Sequence, residues 1–219
     1  MMQYYKPQGT YYIGDCMPFS HAGVFHLYYL IDEGHHQGKG GLGGHQWAHA
    51  STPDLVHWTH HPLALSITEE WEGSICTGST FFHNGTFHAY HGTRMTDWTQ
   101  HLSHATSQDG IHFIKSSTPV GYPPEGYSSY DYRDPFVFQS GDGQFHMLAT
   151  AQIENYPLNK RGGCLLQLIS TDLEHWEARG PFLIPGGEPE YGSIPECPDL
   201  FFWNGWYYLL FGLKLHTHY

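Results

Sequence analysis

Apolar and polar residues alternate along this chain with a period of two, in short runs broken by polar turns that contain glycine. Four stretches show the pattern completely: "FSHAGVFHLYY", "FFHNGTFHAYH", "VFQSGDGQFHMLA" and "FFWNGWYYLLF". Each reads as a β-hairpin, alternation on both arms and a tight turn between them. Their turn glycines, Gly23, Gly85, Gly143 and Gly205, stand 62, 58 and 62 residues apart. Asn84-Gly85-Thr86 has the letters of a glycosylation sequon, but between two alternating arms it reads as a type I′ turn. A second pattern runs through "ASTPDLVHWTHHPLAL", "ATSQDGIHFIKSSTPV" and "ISTDLEHWEARGPFLI", with aromatic anchors Trp58, Phe113 and Trp176 at separations of 55 and 63 residues.

The two patterns interleave three times, which makes a unit of four short strands. Such a unit repeated at this length is the mark of a β-propeller blade. A β-sandwich is the plainer alternative, but nothing in a sandwich calls for a repeat. The expected architecture is all-β, one propeller domain over residues 1–219 with units near 12–75, 76–130, 131–190 and 191–219. Three units are full and the fourth is half present, so the propeller reads as truncated after about three and a half blades. Its open edge is a liability that self-association or further polypeptide would cover.

Composition fits this picture and removes other classes. Charged residues are 14% and aromatics 16%, with 26 Gly and 14 Pro, a mix unlike helix bundles or coiled coils. A formal charge of −12 argues against a nucleic-acid partner, and no basic run or long apolar stretch suggests a membrane. Four widely spaced cysteines, Cys16, Cys76, Cys164 and Cys197, fit no zinc pattern and read as reduced thiols. With an N-terminus lacking an apolar signal core, they point to the cytoplasm, or to an extracellular protein whose leader has been removed. Nineteen histidines invite a metal reading, yet none has a ligand spacing, and many alternate along strands as in "FHAYH". No metal or cofactor is expected. The glycine run 38–44 lacks the Lys-Ser/Thr ending of a phosphate loop and reads as a mobile loop.

Three carboxylates stand out against this frame. Asp134 and Glu196 each lie nine residues before their hairpin glycine, and Asp15 lies eight before its own. Cys76 and Thr77 hold that place in the second unit. The three acids therefore open the first strand of three blades, and first strands line a propeller's channel. Any one of them alone would be a turn cap or an ion-pair partner. Together they suit glycosidic bond cleavage, which needs one carboxylate to attack or activate water and a second carboxyl to protonate the leaving oxygen. Crowding of acids raises the pKa of at least one. Arg133 is placed to bind an oxygen or tune its neighbour. Trp47, Trp71, Tyr127, Tyr130 and Tyr132 are candidates for stacking on sugar faces, though each is as well suited to the core.

At these residues the chain resembles glycoside hydrolase family 32. "YRDPFVF" and "PECPDLFF" resemble its Arg-Asp-Pro and Glu-Cys-Pro-Asp motifs, "HQWAHASTPDLVHWTHHPLAL" its Trp-Gly-His-Ala…Asp-Leu-Val-His-Trp segment, and "ICTGSTFF" its Ser-Gly-Ser segment. The resemblance implies a five-bladed propeller that hydrolyses β-fructofuranosides of the sucrose, inulin or levan type with retention. Asp15 would be the nucleophile, Glu196 the general acid/base and Asp134 the transition-state stabiliser. Arg133, Trp47, Trp71, Thr77 and Cys197 would line the sugar pocket. Departures stand beside the likeness. The family's Trp-Met-Asn-Asp-Pro-Asn-Gly is Tyr12-Ile13-Gly14-Asp15-Cys16-Met17-Pro18 here, without either asparagine, and its Phe-Tyr-Gln is Tyr28-Tyr29-Leu30. The alternatives are a related propeller acting on arabinosides or xylosides, a carbohydrate-binding propeller without turnover, and a truncated inactive one.

Overall fold

The computed structural model describes residues 12–32, 44–155, 162–185 and 194–214; residues 38–43 of the glycine run and the N-terminal residues 1–11 lie outside this set. All regular structure within it is β. Strands β1 (Tyr12–His21), β2 (Val24–Asp32), β3 (Gln46–Thr52) and β4 (Thr59–His60) form one antiparallel sheet in that order. A second holds β5 (Glu72–His83), β6 (Thr86–Met95), β7 (Gln100–Ser107) and β8 (Ile114–Lys115). A third holds β9 (Tyr127–Gln139), β10 (Phe145–Ile153), β11 (Gly163–Ser170) and β12 (Glu177–Leu183). The hairpin β13 (Ile194–Trp203) and β14 (Trp206–Lys214) makes a two-stranded fourth sheet. The first strands touch in sequence, β1 to β5, β5 to β9 and β9 to β13, as blades around an axis do.

The turns follow from their residues. Ala22-Gly23, Asn84-Gly85 and Asn204-Gly205 all have positive φ at both positions, the requirement of a two-residue type I′ hairpin. The third hairpin is different, since Gln139 pairs with Phe145 across a longer loop, Ser140–Gln144.

The core lies between sheets. Tyr28, Leu30 and Trp47 of the first blade pack with Ile75, Ala89 and Ala105 of the second. Tyr90 and Leu102 of the second pack with Tyr132, Val137, Met147 and Leu166 of the third. A clasp repeats at both seams. The Tyr28 hydroxyl donates to the Gly110 carbonyl at 2.7 Å and its ring meets Phe113 edge-on at 5.8 Å. One blade later Tyr90 donates to the Leu173 carbonyl at 2.7 Å and meets Trp176 edge-on at 5.6 Å. The accepting turns are the Ser/Thr-Asp pattern of the sequence. Asp54, Asp109 and Asp172 each accept the backbone N–H two and three residues on, and bind the histidine ring three residues on at 2.7 to 2.8 Å. This closes an Asx turn and puts Leu55, Gly110 or Leu173 in the left-handed region.

Histidines also repeat as structural parts. His26 bonds His49 at 3.0 Å across β2 and β3, and His88 bonds His104 at 3.0 Å across β6 and β7. Burial pushes His49 and His104 down to about 3, so both rings are neutral at physiological pH. Among the described residues no group of three or more His, Cys, Asp or Glu is placed to hold a metal ion.

The seam clasp can be tested directly. Tyr90→Phe leaves the Leu173 carbonyl without its donor and should cost about 1–2 kcal/mol in urea unfolding. An unchanged midpoint would mean that the hydroxyl adds nothing to the seam.

Candidate active site

The inner strand of every blade carries a bulge at the same height. Between Ile13↔Ile31 and Cys16↔Tyr29, two residues of β1 oppose one of β2. The same irregularity follows Ile75↔Thr93 in the second blade; in the third and fourth, where Tyr132↔Ala151 and Pro195↔Leu213 hold the place of Ile13↔Ile31, it comes one pair later, after Arg133↔Thr150 and Glu196↔Gly212. Counted from these ladders, Asp15, Thr77, Asp134 and Cys197 are equivalent, while Glu196 is one residue earlier, level with Gly14, Cys76 and Arg133. The expectation of three carboxylates in one register is therefore corrected. The longer third turn moves Gly143 out of step with the other glycines, so equal counts hid a shift of one residue. In a regular strand that shift would send Glu196 to the opposite face. The bulge removes the alternation: Asp134 and Cys197 both adopt a φ of 53°, and each lines the same cavity as the residue before it.

That cavity encloses about 540 Å³, with Asp15, Thr77, Asp131, Arg133, Asp134, Glu196 and Cys197 in its wall. Arg133 is its hub. The guanidinium donates to Glu196 Oε1 at 2.5 Å, to Asp131 Oδ1 at 2.7 Å and to Gln100 Oε1 at 3.3 Å, and lies 3.8 Å from Asp134 Oδ2. Burial works against its charge, but Asp134, Glu196 and Asp131 outweigh burial and keep it protonated. Gly92 makes room for it, since a Cβ there would stand 3.0 Å from the Arg133 Cβ. Asp15, exposed to the cavity, accepts from Thr77 Oγ1 at 2.6 Å. Asp134 is buried and accepts from Thr150 Oγ1 and the Cys197 N–H, both at 3.2 Å. The Cys197 sulfur lies 3.8 Å from Asp15 Oδ2 and 3.7 Å from Asp134 Oδ2. Burial, then the charges of Asp134, Asp15 and Glu196, raise this thiol's pKa, so it is a neutral neighbour of the acids rather than a nucleophile.

Comparison with known proteins decides the ancestry of this arrangement. The family model "Glycosyl hydrolases family 32 N-terminal domain" matches residues 10–215. The chain belongs to glycoside hydrolase family 32. A sucrose-6-phosphate hydrolase of Bacillus subtilis is 32% identical over 176 residues, 75% of this chain and 34% of the relative. Its counterpart in Salmonella typhimurium is 37% identical over 165 residues, 71% of this chain and 33% of the relative. Among solved structures, sucrose-6-phosphate hydrolase from Lactobacillus gasseri superposes with a TM-score of 0.75 at 28% identity, over 92% of this chain and 41% of that one. The family 32 chain thus spans about a third of the length of those curated relatives.

Not every expected residue reaches the cavity. Arg133, Thr77, Cys197 and Tyr130 line it with the three acids. Trp47 does not: its side chain is fully buried in the first seam and its indole N–H donates to the Cys76 carbonyl at 2.8 Å. It holds the bulge from behind rather than stacking on a ligand. Tyr132 is likewise fully buried in the second seam, and Tyr127 packs against the same core. Trp71 opens onto another cavity, of about 700 Å³, between the first two blades. That space is larger, but its ion pair, Lys115 Nζ with both Glu72 oxygens at 2.6 and 2.7 Å, is already satisfied and it holds none of the three bulge acids. Arg94, Trp98, Gln100 and Asp131 belong to the acidic cavity and were not singled out from sequence. All four cysteines are free.

The crowding leaves a measurable trace on Asp134. Burial raises its carboxyl, Arg133 pulls it down, and Glu196 pushes it up, with a net rise to about 6. Between its unfolded value near 3.8 and about 6 the folded chain binds the extra proton. Stability contributed by this group therefore falls as pH rises through that window. Asp134→Asn should stabilise the fold at pH 8 by ~1–3 kcal/mol, and the gain should shrink towards zero as pH falls to 4. Urea unfolding at the two pH values measures this; an Asn variant less stable than wild type at pH 8 would overturn it.

Proposed function

We propose that this chain carries the catalytic carboxylates of a retaining β-fructofuranosidase, acting on fructosides of the sucrose, inulin or levan type. The observation that carries the reading is the convergence of Asp15, Asp134 and Glu196, from three blades, on one cavity at the height of the bulge. Membership of family 32 and the names of the matched sucrose-6-phosphate hydrolases support the same substrate class.

In this reading Asp15, oriented by Thr77, attacks the anomeric carbon of the fructosyl unit. Glu196 gives its proton to the leaving oxygen as the glycosidic bond breaks. Water then attacks the fructosyl–Asp15 ester, losing its proton to Glu196, and both carboxyl groups return to their starting states. Arg133 orients Glu196. Asp134, held by Thr150 and the Cys197 N–H, accepts from sugar hydroxyls as positive charge builds on the ring.

The partner is a carbohydrate. The exposed faces of β13 and β14, with Phe202, Trp203, Trp206 and Tyr207 at 61, 60, 70 and 75% exposure, support cover by further polypeptide or by self-association. Four free thiols support a cytoplasmic placement. Among the described residues no helix is long and apolar enough to cross a membrane.

Glu196→Gln should lower kcat on a cleaved fructoside by about 10²–10⁴-fold while the variant still unfolds cooperatively. Release of reducing sugar from sucrose, inulin and levan measures it, and the first product anomer seen by NMR should retain the β configuration. The acid limb of kcat/KM should fall near pH 6, where Asp134 gains its proton. No turnover by wild type, with sugar binding retained, would make the chain a binding propeller instead.

A further inference from the structure

The seam between the first two blades is not closed in the way of the next one. Thr93 pairs with Ile75 and Ala151 with Tyr132 at the same height, which fixes the correspondence between the second and third blades. Along it, His91 and Ser103 of the second blade match Ala149 and Leu166 of the third, and Thr93 and His101 match Ala151 and Cys164. The third blade's four residues lie buried in one apolar cluster with Tyr90 and Tyr132. The second blade's four are polar, and His91, Thr93 and His101 are buried all the same. Closing a seam therefore does not call for polar groups here, and burial penalises those left unpaired. Pairing is incomplete. Thr93 Oγ1 bonds Ser103 Oγ at 2.8 Å, but His91 Nε2 and both ring nitrogens of His101 find no partner among the described residues.

His91 and Ser103 belong instead to the wall of the cavity of about 700 Å³ that opens at Trp71. That volume is within the range of small-molecule sites, about 300–1,000 Å³. Trp71 is 40% exposed and lies 5.6 Å from the His101 ring, while Ile114 at 77% exposure and Phe113 add apolar surface. Ser117 and Thr118 add hydroxyls. The charged groups of the wall are Glu69, Glu72 and Lys115, and the Lys115 ammonium is held by both Glu72 oxygens and the Ser66 carbonyl. An anion would find no free cation there. Burial pushes the wall histidines, His91 and His104, down to about 4 and 3, so both are neutral at physiological pH. With its proton on Nδ1, 3.4 Å from the Gly92 carbonyl, His91 offers Nε2 as an acceptor.

The Trp71 carbonyl accepts at 3.1 Å from the Thr96 N–H, in the return loop that holds Trp98 at a φ of 75° beneath the Arg94 guanidinium. The seam cavity thus begins beside the rim of the acidic one, yet the two share no wall residue among those described.

We propose that the seam between the first two blades is a second, non-catalytic binding site for an uncharged saccharide. Trp71 offers its ring to the C–H face of a sugar, and Ile114 and Phe113 supply further apolar contact. Ser103, Ser117 and Thr118 exchange hydrogen bonds with sugar hydroxyls, and His91 Nε2 accepts from one. Glu69 and the closed Glu72–Lys115 pair disfavour phosphorylated and acidic sugars. The site stands whether or not the three carboxylates turn a substrate over.

Fluorine NMR of fluorotryptophan-labelled chain locates a bound sugar, because each of the seven tryptophans gives its own signal. The Trp71 signal is assigned by its loss in Trp71→Phe. In chain carrying Glu196→Gln, so that nothing is hydrolysed, the neutral trisaccharides 1-kestose and maltotriose are titrated in turn. At least one should move the Trp71 signal saturably, and glucose 6-phosphate should bind there at least roughly ten-fold more weakly. His91→Ala with Ser103→Leu gives this seam the third blade's residues and should weaken the Trp71 response by at least about ten-fold. Urea unfolding checks that the double variant still folds; where it does not, Ser103→Leu alone serves. A Trp71 signal that neither trisaccharide moves, an equal response to glucose 6-phosphate, or a response that survives the filled seam each overturns the site. A shift at Trp98 without one at Trp71 puts the sugar in the acidic cavity and overturns it as well.

Discussion

Everything chemical in this chain depends on one extra residue in the inner strand of each blade. A regular β-strand sends successive side chains to opposite faces, so a propeller channel receives every second residue. At the bulge level that rule is suspended, and pairs of consecutive residues, Arg133 with Asp134 and Glu196 with Cys197, line one cavity. The left-handed φ of 53° at both Asp134 and Cys197 is the local cost of that arrangement. It is met by the ladders on either side and by the packed seams, where Trp47 fixes the Cys76 carbonyl and Tyr28 and Tyr90 lock each blade to the next. Stable seams therefore serve a strained centre.

The second constraint is electrostatic. Four carboxylates and two arginines share a cavity in a chain of formal charge −12, which favours protonation of whichever acid is least hydrated. The most buried of them is Asp134, and it is Asp134 whose pKa rises to about 6. Glu196 instead lies half-exposed against Arg133. Position along the bulge thus separates the acids: one strand start presents a carboxylate with a hydroxyl donor, the next a buried carboxylate, the last a carboxyl on an arginine. Three similar groups acquire three environments because the propeller supplies three different backbones at one height.

Much of this was legible in the sequence, for physical reasons that differ by feature. Hairpins and Asx turns are local, so Asn84-Gly85 and Thr52-x-Asp54 announce themselves, and repetition turns local signals into blades. The three acids were legible because the repeat aligned them. Their true register was not, since a longer turn at Ser140–Gln144 shifted the count, and only the ladder shows that Glu196 stands one residue early. Trp47 was misplaced because a strand's alternation says which residues share a face and not which face meets the channel, and Trp71 stands in the turn just before β5, where alternation places nothing. Arg94 and Trp98 gave no signal at all. Their juxtaposition depends on a left-handed φ in a five-residue return, and nothing in "TRMTDWTQ" marks tryptophan for that conformation.

This contrast separates what the fold fixes from what it leaves free. The bulge residues sit on paired strands whose neighbours on both sides are packed, and a shift there would break a ladder. Gly92 illustrates how tight the limits are, since even a methyl group would press on Arg133. The loop between β6 and β7 is held more lightly: Thr96, Asp97 and Trp98 are exposed, and its form is set by Asp97, Thr99 and a few backbone bonds, one of them from the Thr96 N–H to the Trp71 carbonyl. A cluster of acids locked in the ladders and a cavity rim closed by a short loop can change independently.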